Sequence, residues 1–199
     1  MQLWSHEATQ DALRQDAQKQ NDEAQSLREI LRSKQRTGGE PGGASPPAIP
    51  IVMCGKTEQI GLSVIAGLKP EYEVIHFVTT PASGAVIIPA LLASGAPPPH
   101  AETSTIGSGN YAAAPRAVIL GGAFDDAAVA VLRKAVADAQ EGGSADVRRV
   151  PWLRQDPDKP APPLGPEYGK AMVARVKEAL ARLEAEGKLG GTHGGEEWY

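Results

Sequence analysis

Short apolar runs alternate with stretches of helical period between residues 49 and 189. The apolar runs are rich in β-branched residues and are the length of buried strands, whereas the longer stretches place large apolar residues on one face. Strands and helices in alternation predict an α/β fold of three layers with a mostly parallel sheet of about four to five strands. The predicted strands are 49–54, 73–78, 116–121 and 146–150, and the predicted helices are 56–68, 87–94, one that follows Asp125, and 167–189.

The segments outside this alternation predict a different organisation. Residues 1–36 are polar with a sparse apolar stripe, which predicts an N-terminal helix that either lies solvated or docks on a protein partner. Residues 37–48 are rich in glycine and proline and predict a flexible linker. Residues 190–199 are glycine-rich and predict a disordered tail, so the α/β domain is expected to span 49–189.

Charge and cysteine content restrict the function classes. The 199 residues carry a formal net charge of -4, which makes nucleic acid an unlikely general partner but leaves a local basic patch open. Cys54 is the only cysteine, the first residues do not have the pattern of a leader peptide, and the apolar runs are too short for a membrane span. We therefore expect a cytoplasmic protein with no membrane association.

The first strand leads into a turn that offers a cation and a hydroxyl at the start of a helix. The turn is Gly55-Lys56-Thr57, and Gly61 follows within the helix. Helix N-terminal amides bind anions, so Lys56 and Thr57 predict a site for a small anionic ligand. The competing interpretation is that Lys56 is solvated and Thr57 caps the helix.

The run from Val52 to Gly61 resembles the opening of extended and atypical short-chain dehydrogenases, a group that includes the NmrA-like regulatory proteins. Gly55, Thr57 and Gly61 fall at matching positions, and the resemblance implies a Rossmann-like fold and NAD(P) as cofactor. Glu58 stands where that family has its middle glycine, and its charge would repel a nearby phosphate. The family's catalytic Tyr-x-x-x-Lys motif is absent, so the catalytic residues are unknown.

A second glycine turn follows the third strand. Gly121 and Gly122 are expected at the carboxyl edge of the sheet, where open α/β proteins bind ligands. Asp125 and Asp126 beside them could face a ribose or a metal, but capping and solvation explain them more simply, so no metal site is assigned. The predicted cofactor-binding residues are Gly55, Lys56, Thr57, Gly61, Gly121 and Gly122.

Other features allow alternative interpretations. A flavodoxin-like protein could hold an FMN phosphate at Thr57, with Tyr111 and Trp152 as the aromatic candidates for the flavin ring. Cys54 and His76 are expected to be buried rather than catalytic. The loop from Ser104 to Tyr111 has the composition of a ligand lid or of a disordered excursion, and the proline-rich segment after Val150 predicts an exposed Trp152.

These patterns together favour a Rossmann-like protein with a degenerate nucleotide loop that acts as a ligand-sensing or accessory protein. The alternative is an NAD(P)-dependent oxidoreductase. A second alternative is a non-catalytic protein-interaction module that uses the N-terminal helix.

Overall fold

The computed structural model describes residues 46–93, 95–100, 104–142 and 147–199. The predicted N-terminal helix over 1–36 and the predicted linker as far as residue 45 lie outside the described residues. No helix within the described ranges is both long enough and apolar enough to cross a membrane.

The described part of the chain is a three-layer α/β fold, as the sequence predicts. Five parallel strands form one sheet in the order β2-β1-β3-β4-β5. This is the strand order of the flavodoxin-like branch of doubly wound folds. The elements are β1 (Ile49–Cys54), α1 (Glu58–Leu68), β2 (Tyr72–Val78), α2 (Pro81–Leu92), β3 (Val118–Leu120), α3 (Asp126–Glu141), β4 (Trp152–Arg154), α4 (Pro166–Ala185), a 3₁₀ turn (Lys188–Gly190) and β5 (Glu196–Trp198).

Each face of the sheet has its own hydrophobic core. Helices α1 and α4 cover one face, where Leu68 and Leu180 are fully buried against Ile51. Helices α2 and α3 cover the other face, where Ile88 and Leu132 pack with the strands. Strands covered on both faces read as continuous apolar runs, which is why the sequence pattern locates β1, β2 and β3 well.

Helix α2 begins six residues before the predicted start at Ile87. The Thr80 side chain accepts a hydrogen bond from the Ser83 amide at 3.1 Å, and Pro81 occupies the first turn, where its missing N–H is tolerated. Pro89 therefore lies inside the helix rather than near its beginning. Thr80 and Pro81 are residue types that are also common in loops, but here they form the start of a helix.

The last two strands correct the sequence prediction. The fourth strand lies after Pro151, at Trp152–Arg154, and not at 146–150. Trp152 is 3% exposed, so the prediction that it is exposed is wrong. The segment expected to be a disordered tail forms β5, which pairs with β4, and Tyr199 is buried.

The second part of the connection between α2 and β3, from residue 104 onwards, packs against the sheet. It runs along the outer edge of β2, where the Ser108 amide donates to Val74 O at 2.9 Å and the Gly109 amide donates to Ile75 O at 3.1 Å. The prediction of a disordered excursion is therefore wrong for residues 104–111.

Candidate functional site

A cavity of about 410 Å³ opens at the carboxyl ends of β1 and β3. Strand β1 lies between β2 and β3, so the connections that follow β1 and β3 run in opposite directions. Strands β1 and β3 therefore flank the switch point at which doubly wound sheets bind ligands. Helices α1 and α4 form the side walls. The cavity brings together the six residues predicted to bind a cofactor, which are Gly55, Lys56, Thr57, Gly61, Gly121 and Gly122.

The two glycines of the first turn make room for an aromatic ring. A Cβ atom on Gly61 would lie 2.7 Å from the Phe77 ring, and one on Gly55 would lie 3.1 Å from it. Helix α1 can therefore approach β2 closely only because residue 61 has no side chain. Gly61 shapes the back wall of the cavity through packing.

The second glycine turn serves mainly to bring backbone segments together. The Gly121 amide donates to Cys54 O at 2.8 Å, and a Cβ atom at residue 121 would lie 3.0 Å from the same oxygen. Gly122 faces the Gln155 side chain, whose Oε1 would lie 2.5 Å from an added Cβ atom. The Gly55 amide likewise donates to Val78 O. The amides of Gly55 and Gly121 therefore form hydrogen bonds within the protein and are not free to bind a ligand.

The turn that leads into α1 supplies the polar side chains at the rim of the cavity. Thr57 is the N-cap residue, but its side chain makes no capping hydrogen bond, so the interpretation that Thr57 caps the helix is wrong. Lys56 and Thr57 are exposed and line the cavity. A helix start with orphan amides, a hydroxyl and a lysine is suited to an anionic group.

Glu58 lies beside this rim but is not among the residues that line the cavity. Its Oε1 accepts a hydrogen bond from Ser104 Oγ at 2.5 Å, which holds the carboxylate towards the loop along β2. The predicted repulsion assumed a Glu58 side chain that faces the ligand. This orientation weakens that repulsion.

The interior of the cavity is largely apolar. Met53, Phe77 and Met172 contribute to the walls, and Cys54 lies at the end of β1. Burial raises the pKa of the Cys54 thiol far above its usual range, so the thiol stays protonated. Cys54 is therefore a buried side chain, as the sequence predicts.

Sequence reasoning missed three polar residues of the cavity, which are Gln155, Tyr168 and Tyr199. Tyr168 Oη donates to Gln155 Oε1 at 2.9 Å, and Tyr199 Oη donates to Leu120 O at 2.9 Å. Burial raises the pKa of both phenols, so both remain neutral hydrogen-bonding groups at ordinary pH. Gln155 lies in the β4–α4 connection, Tyr168 in the first turn of α4, and Tyr199 directly after β5. The apolar pattern does not mark any of the three as a cavity residue.

Side chains considered for other chemistry are engaged elsewhere. Asp125 accepts a hydrogen bond from the Ala128 amide at 2.9 Å and so caps α3, and Asp126 forms an ion pair with Arg154. Within the described ranges, no group of three His, Cys, Asp or Glu side chains is arranged to hold a metal.

The two aromatic residues considered for a flavin ring do not line the cavity. Tyr111 Oη lies 2.8 Å from Nδ1 of the buried His76, whereas Trp152 lies under Arg133 at the opposite end of the sheet. An FMN ring bound in the cavity would therefore contact other side chains.

The fold and the cavity define a doubly wound, Rossmann-like α/β protein with a concave site at its switch point. The chain is 36% identical over 149 residues to "Kojic acid related protein 6" of Aspergillus oryzae, a match that covers 74% of this chain and 85% of the relative. The protein belongs to the same family as that relative. No protein-family model matches the chain, and no solved structure matches it significantly.

Proposed function

We propose that this protein is a ligand-sensing or accessory protein that holds a small anionic ligand of the nucleotide class in the cavity. The observation that carries the proposal is that one cavity joins an apolar interior to the rim formed by Lys56, Thr57 and the first turn of α1. Its volume is in the range of small-molecule sites. The anionic group would contact the rim, and the organic part would lie against Phe77 and Met172.

The strand order bears on the size of the ligand. Dinucleotide-binding domains use the order 3-2-1-4-5-6, whereas the order 2-1-3-4-5 is used to bind a mononucleotide at the β1/β3 switch point. We therefore favour a mononucleotide-sized ligand such as FMN over a complete NAD(P) molecule. NAD(P) remains the cofactor that the resemblance to short-chain dehydrogenases implies, and cytoplasmic location remains part of the proposal.

Ligand binding is measured best by calorimetry and by the shift in melting temperature with FMN, NADH and NADPH as probes. Kojic acid is a fourth probe, because the name of the Aspergillus relative refers to that compound. Stabilisation by about 2.7 kcal/mol is expected once a probe reaches about 100 times its dissociation constant. If FMN, NADH and NADPH all fail to bind saturably at millimolar concentration, the proposed ligand class is wrong, whatever the result with kojic acid.

Charge removal at the two ends of α1 provides a matched comparison. Lys56→Gln removes the cation at the rim and is expected to weaken binding about tenfold, because a charge-assisted contact to the ligand is lost. Lys69→Gln removes an exposed cation just after the other end of the same helix and should leave binding unchanged. Equal affinity of the two variants would contradict an anion at the rim.

Oxidoreductase activity is the second candidate, and the position of Tyr168 favours it. A neutral phenol in the cavity could donate a proton to a substrate. Because Glu58 is held towards Ser104, its charge repels a cofactor phosphate less than the sequence suggests. Lys170, the nearest lysine in sequence, is exposed and paired with Glu167 at 2.8 Å. Under this candidate, Tyr168→Phe would abolish turnover of NAD(P)H and leave its binding intact. Binding without turnover in the wild-type protein favours the accessory role.

A further inference from the structure

A second cavity, of about 600 Å³, lies at the opposite end of the sheet. It is formed by the C-terminal half of α3 and by the segments that lead into β4 and β5. Its cations are Arg133, Lys134, Arg148 and Arg149, and none of the described residues that line it is acidic. The formal net charge of the chain is -4, so this concentration of positive charge is local and opposite to the net charge.

Arg133 is fixed at the base of this cavity. Its guanidinium lies 5.6 Å from the centre of the Trp152 ring, and its Nη2 donates to Gly194 O at 3.0 Å. Its Nη1 is buried and has no hydrogen-bond partner among the residues that the structure describes. A buried donor without a partner is unfavourable, and an acceptor supplied by a ligand would remove that penalty.

The other cations differ in how far they are already neutralised. Lys134 pairs with Asp138 at 2.6 Å. Arg148 and Arg149 are exposed, and the structure gives no ion pair for either guanidinium within the described part of the chain. Their planar guanidinium groups suit two-point contacts with phosphate oxygens.

We propose that Arg133, Arg148 and Arg149 form a binding site for a compact, multiply charged phosphate compound, independent of the cavity at the carboxyl edge. Arg133 already covers the indole of Trp152, so that ring is not free to stack on a nucleobase. The site therefore recognises the phosphate groups of its ligand. Inorganic pyrophosphate is the simplest probe with this chemistry.

The test is calorimetric titration of the whole protein with pyrophosphate at constant ionic strength. The double variant Arg148→Gln/Arg149→Gln should weaken binding at least about tenfold. The control Lys170→Gln/Lys177→Gln also removes two cations, both from α4, and should leave the affinity unchanged. Melting curves establish that each variant is folded. Arg133 is left in place, because loss of its hydrogen bond to Gly194 O could loosen that segment.

Three results would overturn the proposal. One is the absence of saturable binding at up to about 10 mM pyrophosphate. Another is an equal loss of affinity in the α4 control, which would indicate nonspecific attraction. The third is a loss in Lys56→Gln with none in Arg148→Gln/Arg149→Gln, because pyrophosphate would then bind at the rim of the first cavity. Failure of the nucleotide-class probes in that first cavity would leave the present proposal unaffected.

Discussion

At the scale of single residues, Gly61 allows the Phe77 ring to lie against α1 and form the back wall of the cavity. An added methyl group would contact that ring at 2.7 Å and Ile106 Cδ1 at 2.9 Å. We expect Gly61→Ala to destabilise the protein by about 1–3 kcal/mol, because overpacking outweighs the gain in helix propensity. Urea unfolding of the variant measures this change.

A glycine in α4 offers the matched control. A Cβ atom on Gly169 would lie 2.8 Å from Ser63 Oγ, which belongs to an exposed side chain that can rotate away. Gly169→Ala should therefore be neutral or stabilising by up to about 1 kcal/mol. Replacement of Phe77 by leucine should partly rescue Gly61→Ala, and the absence of rescue would show that the ring is not the obstacle.

His76 leads to a prediction about pH. Its side chain is buried and Nδ1 lies 2.8 Å from Tyr111 Oη, whereas Nε2 has no hydrogen-bond partner within the described part of the chain. Desolvation lowers the pKa of His76 below its usual 6.5 in the folded protein. Protons therefore bind the unfolded chain preferentially, and the free energy of unfolding should decrease as the pH falls from about 7 to 5.

The variant His76→Gln separates this contribution from the effect of the carboxyl groups. It keeps a polar side chain near Tyr111 and removes the titrating group. Its free energy of unfolding should depend less on pH over that interval than that of the wild-type protein. An unchanged pH dependence would mean that other groups cause it.

At the scale of secondary-structure elements, β5 connects the end of the chain to the cavity. Tyr199 is 3% exposed, and its Oη donates to Leu120 O. Tyr199→Phe should destabilise the protein by about 1 kcal/mol through the lost hydrogen bond, and Tyr199→Ala by about 3–5 kcal/mol through the cavity it leaves. Chemical denaturation measures both values.

The neighbouring residue provides the comparison. Trp198 is 42% exposed, and its ring lies 5.0 Å from the Arg154 guanidinium. Trp198→Ala should destabilise by about 1 kcal/mol, although it removes a larger side chain. Equal losses for Trp198→Ala and Tyr199→Ala would contradict the inward position of Tyr199.

Prediction from sequence located the strands with strong apolar patterns and failed for the last two strands, β4 and β5. Strands β1 to β3 are buried runs, so their apolar residues mark them. Strand β5, Glu-Glu-Trp, has no such pattern, because its backbone pairing with β4 determines its structure. Val147 and Val150 are buried without forming a strand, which explains why 146–150 was mistaken for β4.

The residues of the candidate site also fall into those that the sequence pattern locates and those that it does not. The two glycine turns bring the six residues to one edge, because parallel strands end at the same side of a sheet, and cofactor binding by these residues stays a prediction. The direction of Glu58 depends on Ser104, 46 residues away, and the orientation of the Tyr168 phenol depends on Gln155, which lies before the proline-rich connection. Contacts between residues so distant in sequence leave no periodic pattern.

At the scale of the whole molecule, the α/β unit has its own cores. Both apolar clusters lie entirely within residues 46–199. We expect a protein of residues 46–199 to fold cooperatively, with a melting temperature within about 3 °C of that of the full chain. Circular dichroism during heating measures this.

The same truncation addresses the protein-interaction alternative. Full-length and truncated proteins can be compared by sedimentation and by the partners that they capture. A change in oligomeric state or partners without loss of stability would support a role for the N-terminal segment. Non-cooperative melting would show that residues 46–199 are not an independent folding unit.

The loop along β2 also affects self-association. An uncovered edge strand with the sequence Tyr-Glu-Val-Ile-His-Phe-Val would be a template for strand addition by another copy of the chain. The amides of Ser108 and Gly109 already occupy the carbonyl groups of Val74 and Ile75. The segment that holds Glu58 away from the cavity therefore also blocks a route to aggregation, and substitutions that loosen it would affect both properties.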